Sequence, residues 1–189
     1  MLEVVMDHLR RFQRSVFRLE ALDEYTSDAE REEMTRWFRG ERIDPGARDN
    51  EYLRLIRAAA AAGKPWRRVH TVTGPTPYLR FEIEYYGHNE AAGEEIAILQ
   101  APEPTAVFGE RPTDFWLFDD EVVLDMRYDA TGRIAAVPVL TDHESVGRCR
   151  RLRDRALEQA VPLREYRAAL RQQVIPAPAL PVEAAHRSP

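Results

Sequence analysis

The chain has 189 residues, yet only one cysteine, one lysine and nine glycines. A lone Cys149 forms no internal disulfide and no cysteine-built zinc cage, so a reducing, cytoplasmic setting is expected. The dispersed glycines build no phosphate-cradling loop, no dinucleotide fingerprint and no Gly-x-Ser-x-Gly elbow. No apolar run approaches the roughly 20 residues that span a bilayer. Residues 1–19 carry Glu3, Asp7, His8 and several arginines, which does not fit a secretory signal. The single Lys64 stands against 26 arginines, a bias of codon usage that points to no function.

What is present is charge. The net charge of −5 conceals an uneven distribution. Residues 1–147 hold 18 basic and 28 acidic side chains, whereas residues 148–171 hold eight arginines against three acids. An acidic body repels nucleic acid, while the local arginine stretch keeps phosphate contact open as a minor reading.

Apolar periodicity organises the chain. Leu2, Val5, Leu9, Phe12, Val16 and Leu19 form one stripe, which predicts an amphipathic helix through Leu19. Ser27 with Glu30 has capping-box spacing, and a second helix runs from there to Gly40. Asp44-Pro45-Gly46 marks a turn, and Glu51–Ala62 is a third helix closed by Gly63. Trp66–Thr73 reads as a strand, and Thr76-Pro77 opens a helix with Leu79, Ile83 and Tyr86 on one face. Gly87 and Gly93 bracket an expected turn around Asn89. Glu95–Gln100 is a short strand and 101–112 a loop. Phe115–Thr141 is a β-meander, turning at Asp119-Asp120-Glu121 and at Asp129–Gly132. A long helix then carries Val146, Cys149, Leu152 and Ala156 on one side, and a short one follows Pro162.

The expected fold is α+β with α/β-like features: N-terminal helices, a mixed, largely antiparallel sheet of about five strands, and C-terminal helices. Residues 1–173 form one domain, mainly helical to 63, sheet-forming with an inserted helix over 64–141, and helical over 142–173. Residues 174–189, rich in Pro and Ala, read as a disordered tail.

No chemistry-bearing motif dominates. The five histidines are scattered, and no pair has the i, i+4 spacing of a helical zinc site, so neither metal nor cofactor is assigned. Asp119-Asp120-Glu121 has the carboxylates of a magnesium site, but consecutive acids between strands read as a solvated turn. Cys149 lies between Arg148 and Arg150, which favours a thiolate, yet its apolar helix side makes it a packed core thiol. Arg148, Arg151 and Arg155 recur at helical spacing as partner or phosphate contacts, with Asp154 and Glu158 placed to pair with them.

Several segments carry a family resemblance: Phe17-Arg18-Leu19-Glu20 with Tyr25, Arg68-Val69-His70, and Tyr78-Leu79-Arg80-Phe81-Glu82. Asn89, Ala92-Gly93-Glu94, Asp114–Asp119 and Met126-Arg127-Tyr128-Asp129 extend it. With these, residues 12–166 resemble an uncharacterised actinobacterial family of domains of unknown function, often encoded beside helix-turn-helix regulators. The resemblance implies a regulatory or accessory role. Architecture alone resembles half of a phospholipase D-like fold, whose His-x-Lys motif would fall on Pro112 and Asp114 if Asp119 took its aspartate position. Both motif residues are missing, which removes that covalent chemistry.

The leading expectation is a non-catalytic accessory protein that binds a protein partner, such as a helix-turn-helix regulator, through its terminal or arginine-rich helices. A homodimer is compatible with this; a membrane is not involved. The alternative is a small-molecule sensor or divergent enzyme whose pocket, near Arg80 and Asp119, draws on Arg68, His70, Tyr78, Glu82, Asn89, Glu94 and Trp116. DNA binding through the arginine-rich helix is the third reading.

Overall fold

The computed structural model describes residues 2–25, 28–41 and 50–172. In chain order the elements are α1 (Leu2–Arg11), β1 (Val16–Glu20), α2 (Asp28–Phe38), α3 (Glu51–Ala61), β2 (Trp66–Val72), α4 (Pro77–Ala92) and β3 (Glu95–Gln100). They continue with α5 (Pro104–Phe108), β4 (Asp114–Phe118), β5 (Val122–Tyr128), β6 (Ile134–Ala136), β7 (Val139–Leu140), α6 (His143–Gln159), β8 (Val161–Pro162) and α7 (Leu163–Gln172). The expected α+β class holds, and the described sheet has eight strands where about five were expected. The extra strands are short: β8 pairs at Pro162, and the last limb of the meander divides around Pro138 into β6 and β7.

The strand order is β6-β5-β4-β1-β2-β3-β8, with β7 also on β5. β1, β2 and β3 run parallel, joined through helical crossovers as parallel strands require. The remaining pairs are antiparallel. β1 therefore sits in the middle, between a parallel neighbour and an antiparallel one.

Two apolar cores flank the sheet. On one face, Val146, Cys149, Leu152 and Ala156 of α6 pack on Phe17, Leu19, Val69, Phe115, Leu117 and Val123. This is the helix face that the periodicity predicts. Burial pushes the Cys149 thiol up to about 11, in keeping with a packed rather than reactive sulfur. On the other face, α1 and α3 bring Val5, Leu9, Leu53 and Ile56 against Val16, Trp66, Trp116 and Phe118. Beside them, α4 and α7 place Leu79, Ile83, Tyr86, Leu163 and Tyr166 over Val72, Ile96 and Ile98.

Three local expectations need correction. The first helix stops at Arg11, and residues 16–20 form β1, buried at every position. Alternate burial on both faces makes Val16, Phe17 and Leu19 core residues, and the charges of Arg18 and Glu20, which mimic a helix's polar side, are buried too. Helix α4 runs through Gly87 without a turn, because Thr76 caps its start and Gly93, at φ +114°, ends it. Gly87 instead makes room for Arg167 of α7: a Cβ there would lie 2.9 Å from its Nη2, and that guanidinium donates to the Ile83 carbonyl. The loop expected over 101–112 contains the short α5. Ser27, Asp44-Pro45-Gly46 and the 174–189 tail lie outside the described residues.

Gly93, which ends α4, lies against Ala60 of α3. A Cβ built there falls 2.5 Å from the Ala60 Cβ, in addition to the cost of a left-handed backbone. Gly63 is also left-handed, at φ +67°, but a Cβ there meets nothing within 4 Å. Gly93→Ala is therefore expected to lose more than about 2 kcal/mol of unfolding free energy and Gly63→Ala only about 1 kcal/mol. Urea titration monitored by circular dichroism checks this, and equal losses would contradict it.

Candidate functional site

The strand register places charge where a sheet normally buries hydrocarbon. Arg18 and Glu20 of β1, Arg68 and His70 of β2 and Asp114 of β4 all point to the face covered by α3 and α4, and each is buried. Parallel pairing sets Arg18 beside Arg68 and Glu20 beside His70. Two guanidinium groups side by side in a dry environment require compensating charge.

Glu20 is the hub of that compensation. Its Oε1 lies 2.7 Å from Arg68 Nη1 and 3.5 Å from Arg18 Nε. Its Oε2 accepts the Tyr86 hydroxyl at 2.7 Å. Burial pushes the Glu20 carboxyl up, but Arg68, Arg18 and His70 together outweigh it and hold the pKa at about 2. Arg68 is fully committed: Nε donates to Glu94 at 2.8 Å, Nη1 to Glu20, and Nη2 to the Tyr52 hydroxyl at 2.8 Å. Asn89 Nδ2 donates to the second Glu94 oxygen at 2.8 Å. Arg18 Nη2 donates to Asp114 at 2.8 Å, and the guanidinium lies 5.2 Å from the Trp116 ring centre. Asp114 also accepts from the Tyr25 hydroxyl and the Ala21 amide. Despite their arginine partners, Glu94 and Asp114 have raised pKa values, because burial outweighs the attraction.

His70 closes the network at the carboxyl ends of β1 and β2. Its Nε2 lies 2.9 Å from the Leu22 carbonyl, which only accepts, so Nε2 carries a proton. Its Nδ1 lies 2.8 Å from the Tyr86 oxygen and 3.1 Å from Glu82 Oε2. Tyr86 gives its own proton to Glu20, so in this arrangement Nδ1 donates to Tyr86 and the ring is a cation. Burial disfavours that cation, but Glu82 and Glu20 overcome it and raise the His70 pKa to about 9. With Nδ1 turned toward Tyr86, Glu82 Oε2 is buried without a hydrogen bond.

A cavity of about 240 Å³ opens beside this network, between α3 and α4. Tyr52, Arg68, Tyr78, Glu82, Tyr86 and Asn89 contribute to its wall. Tyr52 accepts from Arg68, which leaves its hydroxyl proton for a ligand, and Asn89 keeps its carbonyl oxygen.

Of the residues proposed from sequence, Arg68, His70, Tyr78, Glu82, Asn89 and Glu94 are brought together here. Arg80 lies half-buried on α4, and the arginine that holds Glu94 is Arg68. Trp116 is a core residue on the same sheet face, beneath Arg18. Asp119 is not part of this site. It follows β4 beside Ser15, five residues along β1 from Glu20, or roughly 16 Å at strand rise. Arg18, Glu20, Tyr25, Tyr52, Tyr86 and Asp114 complete the network but are not among the site residues proposed from sequence. Arg18 lies in the expected helix and Glu20 directly after it, and the tyrosines sit among core aromatics. Arg148 and Arg155 of α6 lie on the opposite side of the sheet, paired with Glu110 at 2.8 Å and with the Phe108 carbonyl, while Arg151 is exposed.

Asp119 has its own task. It and Asp120 turn the β4–β5 hairpin at φ +56° and +63°, and its carboxylate accepts the amides of Gln13, Arg14 and Ser15 at 2.6–3.1 Å. Burial acts to raise its pKa, but these backbone donors lower it below the usual carboxylate value. A depressed pKa contributes stability above the unfolded value that is lost as pH falls through the folded one. Asp119→Asn keeps the shape and tolerates the left-handed backbone. It is expected to cost about 1–2 kcal/mol at pH 7, with the gap from wild type closing below about pH 4. Urea denaturation across pH measures this, and a gap that persists on acidification would contradict it.

No curated protein matches the chain. Among solved structures, NucT from Helicobacter pylori is similar with a TM-score of 0.45 and 11% identity, covering 85% of this chain and 89% of that one. No helix among the described residues is long and apolar enough to cross a membrane. A family model described as a domain of unknown function, DUF6879, matches residues 3–168, and the chain belongs to that family.

Proposed function

We propose that the chain is a regulatory protein that binds a small polar molecule in the cavity between α3 and α4. The observation that carries this reading is the pairing of that cavity with a pre-arranged polar wall. Tyr52, Arg68 and Asn89 are held in place by hydrogen bonds, so a ligand meets groups whose ordering cost is already met. The site lies over the inner face of parallel β1 and β2, beside the point where pairing switches to antiparallel β4.

The wall sets the ligand class. Arg68 and Glu82 bring one charge of each sign to the wall, Tyr52 offers a donor and Asn89 an acceptor, and Phe81, Tyr85 and Tyr86 add aromatic surface. A compact, polar molecule with an unsaturated ring, smaller than a typical drug, fits that chemistry and the cavity of about 240 Å³. Bound there, it would bridge two helices and so alter the surface they present. The actinobacterial family resemblance, with its helix-turn-helix neighbours, supplies the regulatory half of the proposal and a protein partner to receive the signal. The exposed large apolar side chains among the described residues, Leu2, Val139 and Val161, belong to α1, β7 and β8.

Thermal unfolding against a panel of nucleobases, nucleosides, amino acids and hydroxy acids tests the reading. At least one compound is expected to raise the melting temperature by several degrees. Tyr52→Phe is expected to weaken its binding at least tenfold, while Asp119→Asn, at the far end of β1, leaves it unchanged. Equal binding by Tyr52→Phe and wild type, or a panel without effect, would overturn the cavity as a ligand site.

A further inference from the structure

We propose that Glu20, His70 and Glu82 form a binding site for a divalent first-row metal ion. One ligand atom from each lies within 4.8 Å of the others. His70 Nδ1 is 3.1 Å from Glu82 Oε2 and 4.0 Å from Glu20 Oε2. An ion bound at about 2.0–2.2 Å holds its donors roughly 3–3.5 Å apart, so the His70–Glu82 pair is already at that spacing, the His70–Glu20 pair needs to close by under ~1 Å, and the two carboxylate oxygens, within 4.8 Å of each other, draw together around the ion.

Three further observations point to a cation. The first is orientation: His70 donates Nε2–H to the Leu22 carbonyl at 2.9 Å, an outer contact of the kind that holds a metal-binding histidine by its far nitrogen, and leaves Nδ1, now hydrogen-bonded to Tyr86, as the atom that binds once its proton leaves. The second is an orphan: Glu82 Oε2 is buried without a hydrogen bond. The third is charge. Four carboxyl groups, of Glu20, Glu82, Glu94 and Asp114, share this face with two guanidinium groups, of Arg18 and Arg68, so acidic side chains outnumber arginines where the ion would sit.

Tyr86 bears on the same point, its oxygen 2.8 Å from His70 Nδ1 and 2.7 Å from Glu20 Oε2. It either joins as a fourth oxygen donor or turns aside. One imidazole and two carboxylates suit zinc, manganese or ferrous iron rather than a soft thiophilic ion. Loading balances simply: the ion bonds to Nδ1 and the two carboxylate oxygens, and the Nδ1 proton leaves to solvent. Glu82 also belongs to the cavity wall, but the ion needs no small molecule beside it, and the test contains no organic ligand.

The full chain, stripped with a chelator, is equilibrated with Zn²⁺ alone and analysed by equilibrium dialysis, thermal unfolding and histidine ¹H–¹⁵N spectra. One ion per chain is expected, with a melting temperature raised by several degrees and loss of the His70 Nδ1 proton. Glu82→Gln is expected to weaken binding more than about 100-fold. Its metal-free circular dichroism and melting curve establish that it is folded. His143→Ala, a control for surface histidines, is expected to bind as wild type does. Lack of stoichiometric binding overturns the site, as does full retention by folded Glu82→Gln. Should Glu82→Gln fail to fold, the wild-type spectrum decides: a His70 that keeps both ring protons in saturating Zn²⁺ overturns the proposal, and one that loses the Nδ1 proton supports it.

Discussion

The structure is organised around charge that the sheet itself buries. Arg18, Glu20, Arg68, His70 and Asp114 occupy adjacent positions on the inner face of β1, β2 and β4. None of them is tolerable there alone, since an uncompensated ion in such surroundings costs several kcal/mol. The segments that cover these charges therefore bring partners: Tyr52 from α3, Glu82, Tyr86 and Asn89 from α4, Glu94 from the segment entering β3, and Tyr25 from the chain after β1. Strand register and helix placement are thus fixed by polar complementarity as well as by the two apolar cores. A shift of β1 by one residue would carry Arg18 and Glu20 to the α6 face, where only hydrocarbon awaits them.

The same constraint explains why a site arises at one end of the sheet. Apolar packing dominates at the amino end of β1, where Val16 contacts Trp66, Trp116 and Phe118. Toward the carboxyl end the polar residues follow one another, and the helices that satisfy them cannot also close the space completely. The cavity between α3 and α4 is what remains. Its wall is ordered by the ion network, so binding capacity and structural integrity draw on the same groups. Arg68 illustrates the overlap: it lines the cavity while all three of its donor nitrogens hold other parts of the protein.

Much of the architecture is legible in the sequence. The α6 face Val146, Cys149, Leu152 and Ala156 follows from periodicity alone, as do the Thr76-Pro77 start of α4 and the Gly63 end of α3. The site is partly legible, because Arg68, His70, Glu82, Asn89 and Glu94 stand out as polar residues in otherwise apolar elements. β1 was hidden by its own chemistry. Burial of Arg18 and Glu20 becomes favourable through partners 48 to 110 residues away, which no local pattern carries. Asp119 misled for the opposite reason: its carboxylate serves the neighbouring backbone, a role that composition does not distinguish from ligand binding.

If the buried network is the organising constraint, its members must be coupled rather than independent. The Arg68–Glu94 pair, at 2.8 Å with both side chains buried, is the place to measure that. A double-mutant cycle with Arg68→Met and Glu94→Met compares unfolding free energies of the wild type, each single variant and the pair. Each single change leaves a buried ion without its partner and is expected to cost about 3–5 kcal/mol. The double variant is expected to recover at least about 1–3 kcal/mol of the summed loss. Strict additivity of the two substitutions would contradict the account.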